Sequence, residues 1–347
     1  MKRFLSKIIV LTIPVIILIL LVIWLDFFKI FGFQDYYATQ TIGLNREMIT
    51  TKTYNHYREK ENFDSFIFGS SRSQAFKCKN WKSYLPDNAK PFHFDASGEG
   101  IWGISKKVEY IDELGDTIKN TLVVIDRDVL KVTYLRNGHL FISMPNVSKF
   151  SKFDYYSAFL KASLNPKFLI AYLDYSIFKT YRQYMGHLIN HNKYDHIVNN
   201  KNCDIWYGVN KEIENDSLGY YNKQLDKGVF YERPLPEIAE CKVSQEEINQ
   251  FNTIKAIFNK HNTNYKIVIG PTYDQVPMEE EQLKLLDQVF GRENIYNFSG
   301  RNEFTEPISN FYETSHYRPH VANEIMELIY DSKMTTQKYQ FNLGLNP

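Results

Sequence analysis

Cysteine is nearly absent from this chain: Cys78, Cys203 and Cys241 are its only three. They are too few and too scattered for a disulfide framework or a C-x-x-C metal site. In an oxidising compartment Cys203 with Cys241 is the pair best placed to bridge, and three unpaired thiols is the equal alternative. An excess charge of either sign is also lacking, since 41 basic and 40 acidic residues leave a formal charge of +1. No basic field therefore argues for nucleic acid, and no acidic one for cationic partners. Internal repeats and low-complexity blocks are absent as well. His187, His191 and His196 form the one histidine cluster, and the first two stand at i and i+4 as helical metal ligands would. Without a glutamate directly after the first histidine, and in an Asn-rich context, they read as solvated surface. The sequence calls for no metal and no cofactor.

Long apolar runs are scarce too, with one exception at the start. Ile8 to Leu25 is interrupted only by Thr12 and Pro14, with Leu5 before it and Phe27-Phe28 after, a length that spans a hydrocarbon core. A signal peptide would be shorter and end on small residues, whereas this run ends Trp24-Leu25-Asp26. Residues 1–33 therefore read as an uncleaved transmembrane anchor. Lys2, Arg3 and Lys7 precede the span, which predicts a cytoplasmic N-terminus and a single pass, with the remainder outside.

Residues 34–62 are polar and lack strand periodicity, and read as a juxtamembrane linker. From there an α/β alternation begins. Phe63–Gly69, Pro91–Ala96 and Thr121–Ile125 are short apolar strands, with helical spacing from Ile101 to Ile118, a pattern that means a parallel sheet. The pattern lapses over 131–243, where Tyr155 to Tyr184 looks helical and Asn199 to Lys227 looks irregular. An insertion of this kind predicts a cap that shapes an acceptor site. The chain has 25 Tyr and 25 Phe; such aromatics stack on sugar rings, and equally pack cores. Order returns at Ser244, which opens a helix as a capping box with Glu247. A strand at Tyr265–Gly270, a helix at Glu279 to Phe290, a strand at Asn294–Phe298 and a helix from Pro319 to Tyr330 follow. The expected α/β domain thus has halves at 63–130 and 244–331, ahead of a polar tail, 332–347.

Two short segments carry chemistry. Asp64-Ser65-Phe66-Ile67-Phe68 runs into Gly69-Ser70-Ser71-Arg72, which puts hydroxyls on a turn at the carboxyl end of a buried strand. Near the other end, Glu313-Thr314-Ser315-His316 lies just ahead of Pro319, which predicts an acid and a histidine on the loop entering the last helix. A serine hydroxyl is a weak nucleophile until an imidazole takes its proton, and the imidazole needs a carboxylate to fix its tautomer. Ser71 is the expected nucleophile with Ser70 as alternative, His316 the base, and Glu313 the orienting acid. Arg72 would hold an acidic substrate group or pair with a local carboxylate, the second being favoured.

Gly69-Ser70-Ser71-Arg72, then Ser97-Gly98, then Glu313-Thr314-Ser315-His316-Tyr317-Arg318-Pro319 resemble the SGNH/GDSL hydrolase superfamily, particularly its membrane-anchored bacterial envelope members. The similarity spans roughly 63–129 and 265–330. It implies a flavodoxin-like three-layer α/β fold, nucleophile Ser71, an oxyanion hole from the N–H groups of Ser71 and Gly98, and base His316. Two positions depart. The family's acid is usually aspartate, and its oxyanion asparagine is missing, because the corresponding segment reads Val123-Val124-Ile125-Asp126-Arg127-Asp128. Losing one oxyanion donor typically costs about 100- to 1,000-fold in turnover.

What the resemblance implies is acyl transfer or ester hydrolysis on an envelope polysaccharide or acylated glycan, with an acyl-donating membrane protein as a further partner. The alternative is a non-catalytic glycan-binding or assembly subunit on a degenerate SGNH fold.

Overall fold

The computed structural model describes residues 2–33, 41–189, 207–233 and 242–330. Its thirteen helices among these residues run in chain order α1 (Lys2–Leu25), α2 (Arg46–Glu61), α3 (Cys78–Trp81), α4 (Ile101–Glu113), α5 (Arg127–Lys131), α6 (Pro145–Ser148), α7 (Lys152–Ser163), α8 (Pro166–Phe178), α9 (Tyr207–Asn215), α10 (Ser217–Asp226), α11 (Gln245–His261), α12 (Glu280–Phe290) and α13 (Pro319–Tyr330). The strands are β1 (Ser65–Gly69), β2 (Pro91–Asp95), β3 (Asn120–Ile125), β4 (Asn264–Ile269), β5 (Ile295–Asn297), β6 (Phe311–Glu313) and β7 (His316–Tyr317).

β1 to β5 form one parallel sheet in the order β2-β1-β3-β4-β5. Its strands are near-continuous apolar runs because both faces are covered, the signature of a buried parallel sheet. Alternation along each strand separates two cores. Phe66, Phe68, Phe92, Phe94, Val123 and Ile125 point toward α2, α4 and α11. Ile67, Leu122, Val124 and Val268 point the other way, against Trp81 and the α13 residues Val321, Ile325 and Met326. The chain is thus α/β, with helices on both sides of a five-stranded parallel sheet.

Strand order reverses between β1 and β3. Ligands of such sheets bind outside the carboxyl ends of the strands at that switch point. Here it brings together the turns after Gly69, Asp95 and Ile125.

Three segments differ from the sequence expectation. Residues 46–61 are not linker: α2 is capped by the Asn45 side chain, which accepts from Met48 N–H at 2.9 Å, and it buries Thr50 and Tyr54 against the sheet layer and Met48 and Ile49 against the cluster at the end of α1. Its polar composition hid this, because the buried face includes threonines and the paired Arg46. The stretch expected to be irregular contains α9 and α10, whose Val209, Ile213 and Tyr220 pack against Tyr312. The expected cap is divided: α7 and α8 form a separate apolar cluster with Val22, Phe27 and Phe28 at the end of α1. The Cys203–Cys241 pair, His191 and His196 lie outside the described residues, while His187 is exposed. Among the described residues no group of His, Cys, Asp and Glu could hold a metal ion.

α1 covers the expected membrane span. Among the described residues, no helix is long and apolar enough to cross a membrane.

Candidate active site

The first turn is built by close approach. A Cβ on Gly69 would lie 2.6 Å from the Val124 carbonyl oxygen and 2.7 Å from Ser73 Cβ, so only glycine lets the chain fold back over β3 at this point. The chain then enters a 3-10 turn, Ser71–Ala75, capped by Ser70, whose hydroxyl accepts from Arg72 N–H at 3.4 Å. Ser70 is buried in this cap.

Beneath the turn lies a buried polar network. The Ser73 hydroxyl donates to Ser70 C=O at 2.7 Å and meets His93 Nε2 at 2.9 Å. Gln74 donates to Asp95 at 2.8 Å, and Asp95 also takes the Arg46 guanidinium at 3.1 Å. Burial alone would raise the Asp95 pKa, but Arg46 first, and His93 and Gln74 after it, bring it below the ordinary carboxylate value. Removing one partner of such a buried pair typically costs roughly 3–5 kcal/mol. The network clamps the underside of the serine turn to β2 and α2.

The second segment is a hairpin, not the loop expected. β6 and β7 pair antiparallel with Glu313 opposite His316, so the two-residue turn Thr314-Ser315 sets acid and histidine side by side across the ladder. Strands of three and two residues carry no readable alternation, which is why spacing alone suggested a helix entry. α10 supports the hairpin through Tyr220, which donates to Tyr312 C=O at 2.6 Å, and Tyr221, which donates to Phe311 C=O at 3.0 Å.

The two segments meet. Ser71 Oγ lies 2.8 Å from His316 Nε2, and His316 Nδ1 is hydrogen-bonded to Glu313 Oε1. Glu313 Oε2 accepts Ser315 N–H at 2.7 Å. Burial pushes the Glu313 carboxyl up, but the His316 hydrogen bond and charge, with the Ser315 N–H, outweigh it and leave its pKa below the ordinary value. An ionised Glu313 keeps the proton on Nδ1 and frees Nε2 to take the one on Ser71.

Arg72 ties the two segments together. It donates to Ser315 C=O at 2.8 Å, to Asp128 at 3.0 Å, and pairs with Asp126 at 2.9 Å. Asp126 also caps α5 by accepting from Asp128 N–H at 2.9 Å. The segment after β3 thus supplies two carboxylates, Asp126 and Asp128, to Arg72.

Ser71 and His316 open into a cavity of about 430 Å³ that also touches Gly98, Lys131, Tyr134 and Arg136. Gly98 has φ +57°, and Arg136 donates to its carbonyl at 2.7 Å while stacking its guanidinium over Phe141 at 3.9 Å. Among the described residues of the expected cap, Lys131, Val132, Tyr134 and Arg136, at the end of α5 and just after it, line this cleft. Sequence reasoning missed Arg136 because no motif marks it. It also missed Asp95 and His93, although a buried strand ending in a carboxylate was a signal available at Phe94-Asp95.

No protein-family model matches this sequence, and no curated protein matches it significantly.

Proposed function

We propose that the chain is an SGNH-like serine acyl esterase or O-acyltransferase that acts on a cell-envelope polysaccharide. The observation that carries the reading is the unbroken relay Ser71, His316, Glu313 at the mouth of a cleft, with 2.8 Å between the hydroxyl and the imidazole. The strand order, which is that of flavodoxin-like folds, and the three sequence blocks support the superfamily assignment.

In this reading Ser71 Oγ attacks an ester carbonyl carbon as its proton passes to His316 Nε2. The C–O bond to the leaving alcohol breaks, and that alcohol departs with the proton. Water or a sugar hydroxyl then gives its proton to His316 and takes the acyl group from Ser71. The oxyanion would be met by the N–H groups of Ser71 and Gly98, a two-donor hole in which Asp126 cannot replace the missing asparagine, since a carboxylate only accepts.

The anchor belongs to the same proposal: α1 crosses a bacterial membrane once, its N-terminus cytoplasmic and the α/β domain outside. Support comes from its composition and from Thr12 to Leu25, where consecutive apolar side chains stand exposed on nearly every face of the helix, as lipid-facing helices do.

A fluorophosphonate probe tests the chemistry. Labelling of the wild type that disappears in Ser71→Ala is the expected result. Absence of labelling in well-folded wild-type protein would favour instead a non-catalytic glycan-binding subunit, the reading to which the missing asparagine points.

A further inference from the structure

We infer that α7 and α8 form an interfacial seat, lying on the surface of the lipid bilayer beside the exit of α1. The inference rests on the membrane placement proposed above, and it goes beyond an anchor by assigning the bilayer a second contact with the folded domain.

Both helices are apolar on two opposite sides. In α8, Phe168 and Ala171 face the cluster at the end of α1. Ile170, Leu173 and Ile177, spaced i, i+3 and i+7, form a second stripe that faces outward, and Ile177 is 69% exposed. In α7, Tyr155 and Phe159 are buried, while Phe153 is 79% exposed and Tyr156 also faces out. Contiguous exposed apolar side chains, unlike scattered ones, mark interaction surfaces.

What covers them follows from continuity. α7 and α8 pack on the segment that leaves α1: Phe27 meets Phe168 and Tyr172 at ring distances of 5.4 and 4.8 Å, and Phe31 stacks on Tyr156 at 6.2 Å. Between the end of α1 and α7 runs an apolar groove of about 370 Å³, lined by Val22, Ile23, Phe31, Phe153, Tyr156 and Leu160. The groove carries the apolar shaft of α1 onto α7, with Asp26, Lys152, Ser157 and Ser163 as the polar residues along it. Around the exposed stripes Lys152, Lys161, Lys167 and Lys179 are exposed and outnumber the exposed Asp154, and Trp24 stands out at the end of α1. Apolar side chains rimmed by lysines and a tryptophan at the helix exit match the layering of a bilayer interface, where acyl chains give way to anionic headgroups. Apolar side chains with lysines beside them fit acyl chains under anionic headgroups, so lipid is the occupant assigned to this surface.

The experiment uses the unmodified full chain in nanodiscs of phosphatidylethanolamine and phosphatidylglycerol, doped with a phospholipid that carries a diazirine in its acyl chain. After irradiation, labelled peptides are mapped by mass spectrometry. The expected result is label in α1 and in residues 150–178, with none in α12, and a several-fold loss of the 150–178 label in a Leu173→Asp, Ile177→Asp variant whose α1 label is unchanged. Label in α1 alone would overturn the seat while leaving the anchor intact. No label in α1 would overturn the anchor and the seat with it. Label in 150–178 that disappears whenever a second membrane protein is co-purified with the chain would overturn lipid as the occupant in favour of that protein.

Discussion

Arg72 Nε donates to the Ser315 carbonyl at 2.8 Å, joining the residue after the expected nucleophile to the residue before the expected base. The same guanidinium reaches Asp126 and Asp128 at the end of β3. Its planar fork serves several acceptors at once, which an ammonium cannot do. Arg72→Lys is therefore expected to loosen the distance between Ser71 and His316 while preserving the fold. Misplacement of about 1 Å costs on the order of 100-fold in rate, so kcat and the rate of fluorophosphonate labelling should fall together, with KM and circular dichroism little changed. An Arg72→Lys enzyme with wild-type kcat would remove this residue from a positioning role.

Glu313 holds the imidazole by Nδ1. Replacing it with glutamine presents an amide that can donate to Nδ1 and so stabilise the tautomer whose Nε2 already carries a proton. Turnover of Glu313→Gln should drop by about 10⁴-fold, and the melting temperature should stay close to wild type. Comparison of steady-state rates with a thermal melt on the same preparation checks both halves of the prediction.

Gly98 is sensitive for two separate reasons. Its φ of +57° is the left-handed region, which costs a side-chain-bearing residue roughly 1–2 kcal/mol. A Cβ there would also fall 2.0 Å from Arg136 Nη1. Gly98→Ala is expected to lower stability by about that amount and to push Arg136 out of the cleft, so that acyl-enzyme formation slows more than the loss of stability explains. Pre-steady-state burst kinetics beside a denaturant titration would separate the two effects.

Stability should also depend on pH through Glu247. This residue lies in the first turn of α11 and is buried against Gln282, and burial raises its pKa from 4.5 to about 7 despite the Ser244 and Gln282 hydrogen bonds. A carboxyl with a raised folded pKa favours the fold fully below its unfolded value, and that contribution is lost as pH rises through the folded one. Between about 4.5 and about 7 the wild type should therefore lose part of its stability with rising pH. Glu247→Gln should flatten that window and be the more stable protein above it, as read from melting temperatures across the range.

Much of the fold was legible because buried parallel strands must be apolar on both faces. Phe66-Ile67-Phe68 and Val123-Val124-Ile125 could be read as strands with no partner in view, and Pro319 marked the first residue of α13. α2 was illegible for the opposite reason: Arg46, Thr50 and Thr51 look like surface until Asp95, Glu47 and the sheet are placed around them. α9 and α10 hid in polar sequence because each buries only a few side chains, and those against a hairpin far along the chain. The site was half legible. Ser71, Glu313 and His316 stand in recognisable spacing, whereas the residues that hold them, Ser73, His93, Gln74, Asp95 and Asp126, carry no local mark.

By itself the sequence determined the alternation that makes a parallel sheet, the glycine that allows a sharp turn after β1, the apolar run at the N-terminus, and an acid three positions before a histidine. These depend on local sterics and hydrophobic periodicity, which a short window contains. Only the tertiary structure decided that the acid and histidine face each other across a hairpin, that Ser71 comes within hydrogen-bonding reach of His316, and that Arg72 bridges the two segments. Those contacts join positions some 245 residues apart, and such distances are settled by how the layers pack, which no local pattern encodes.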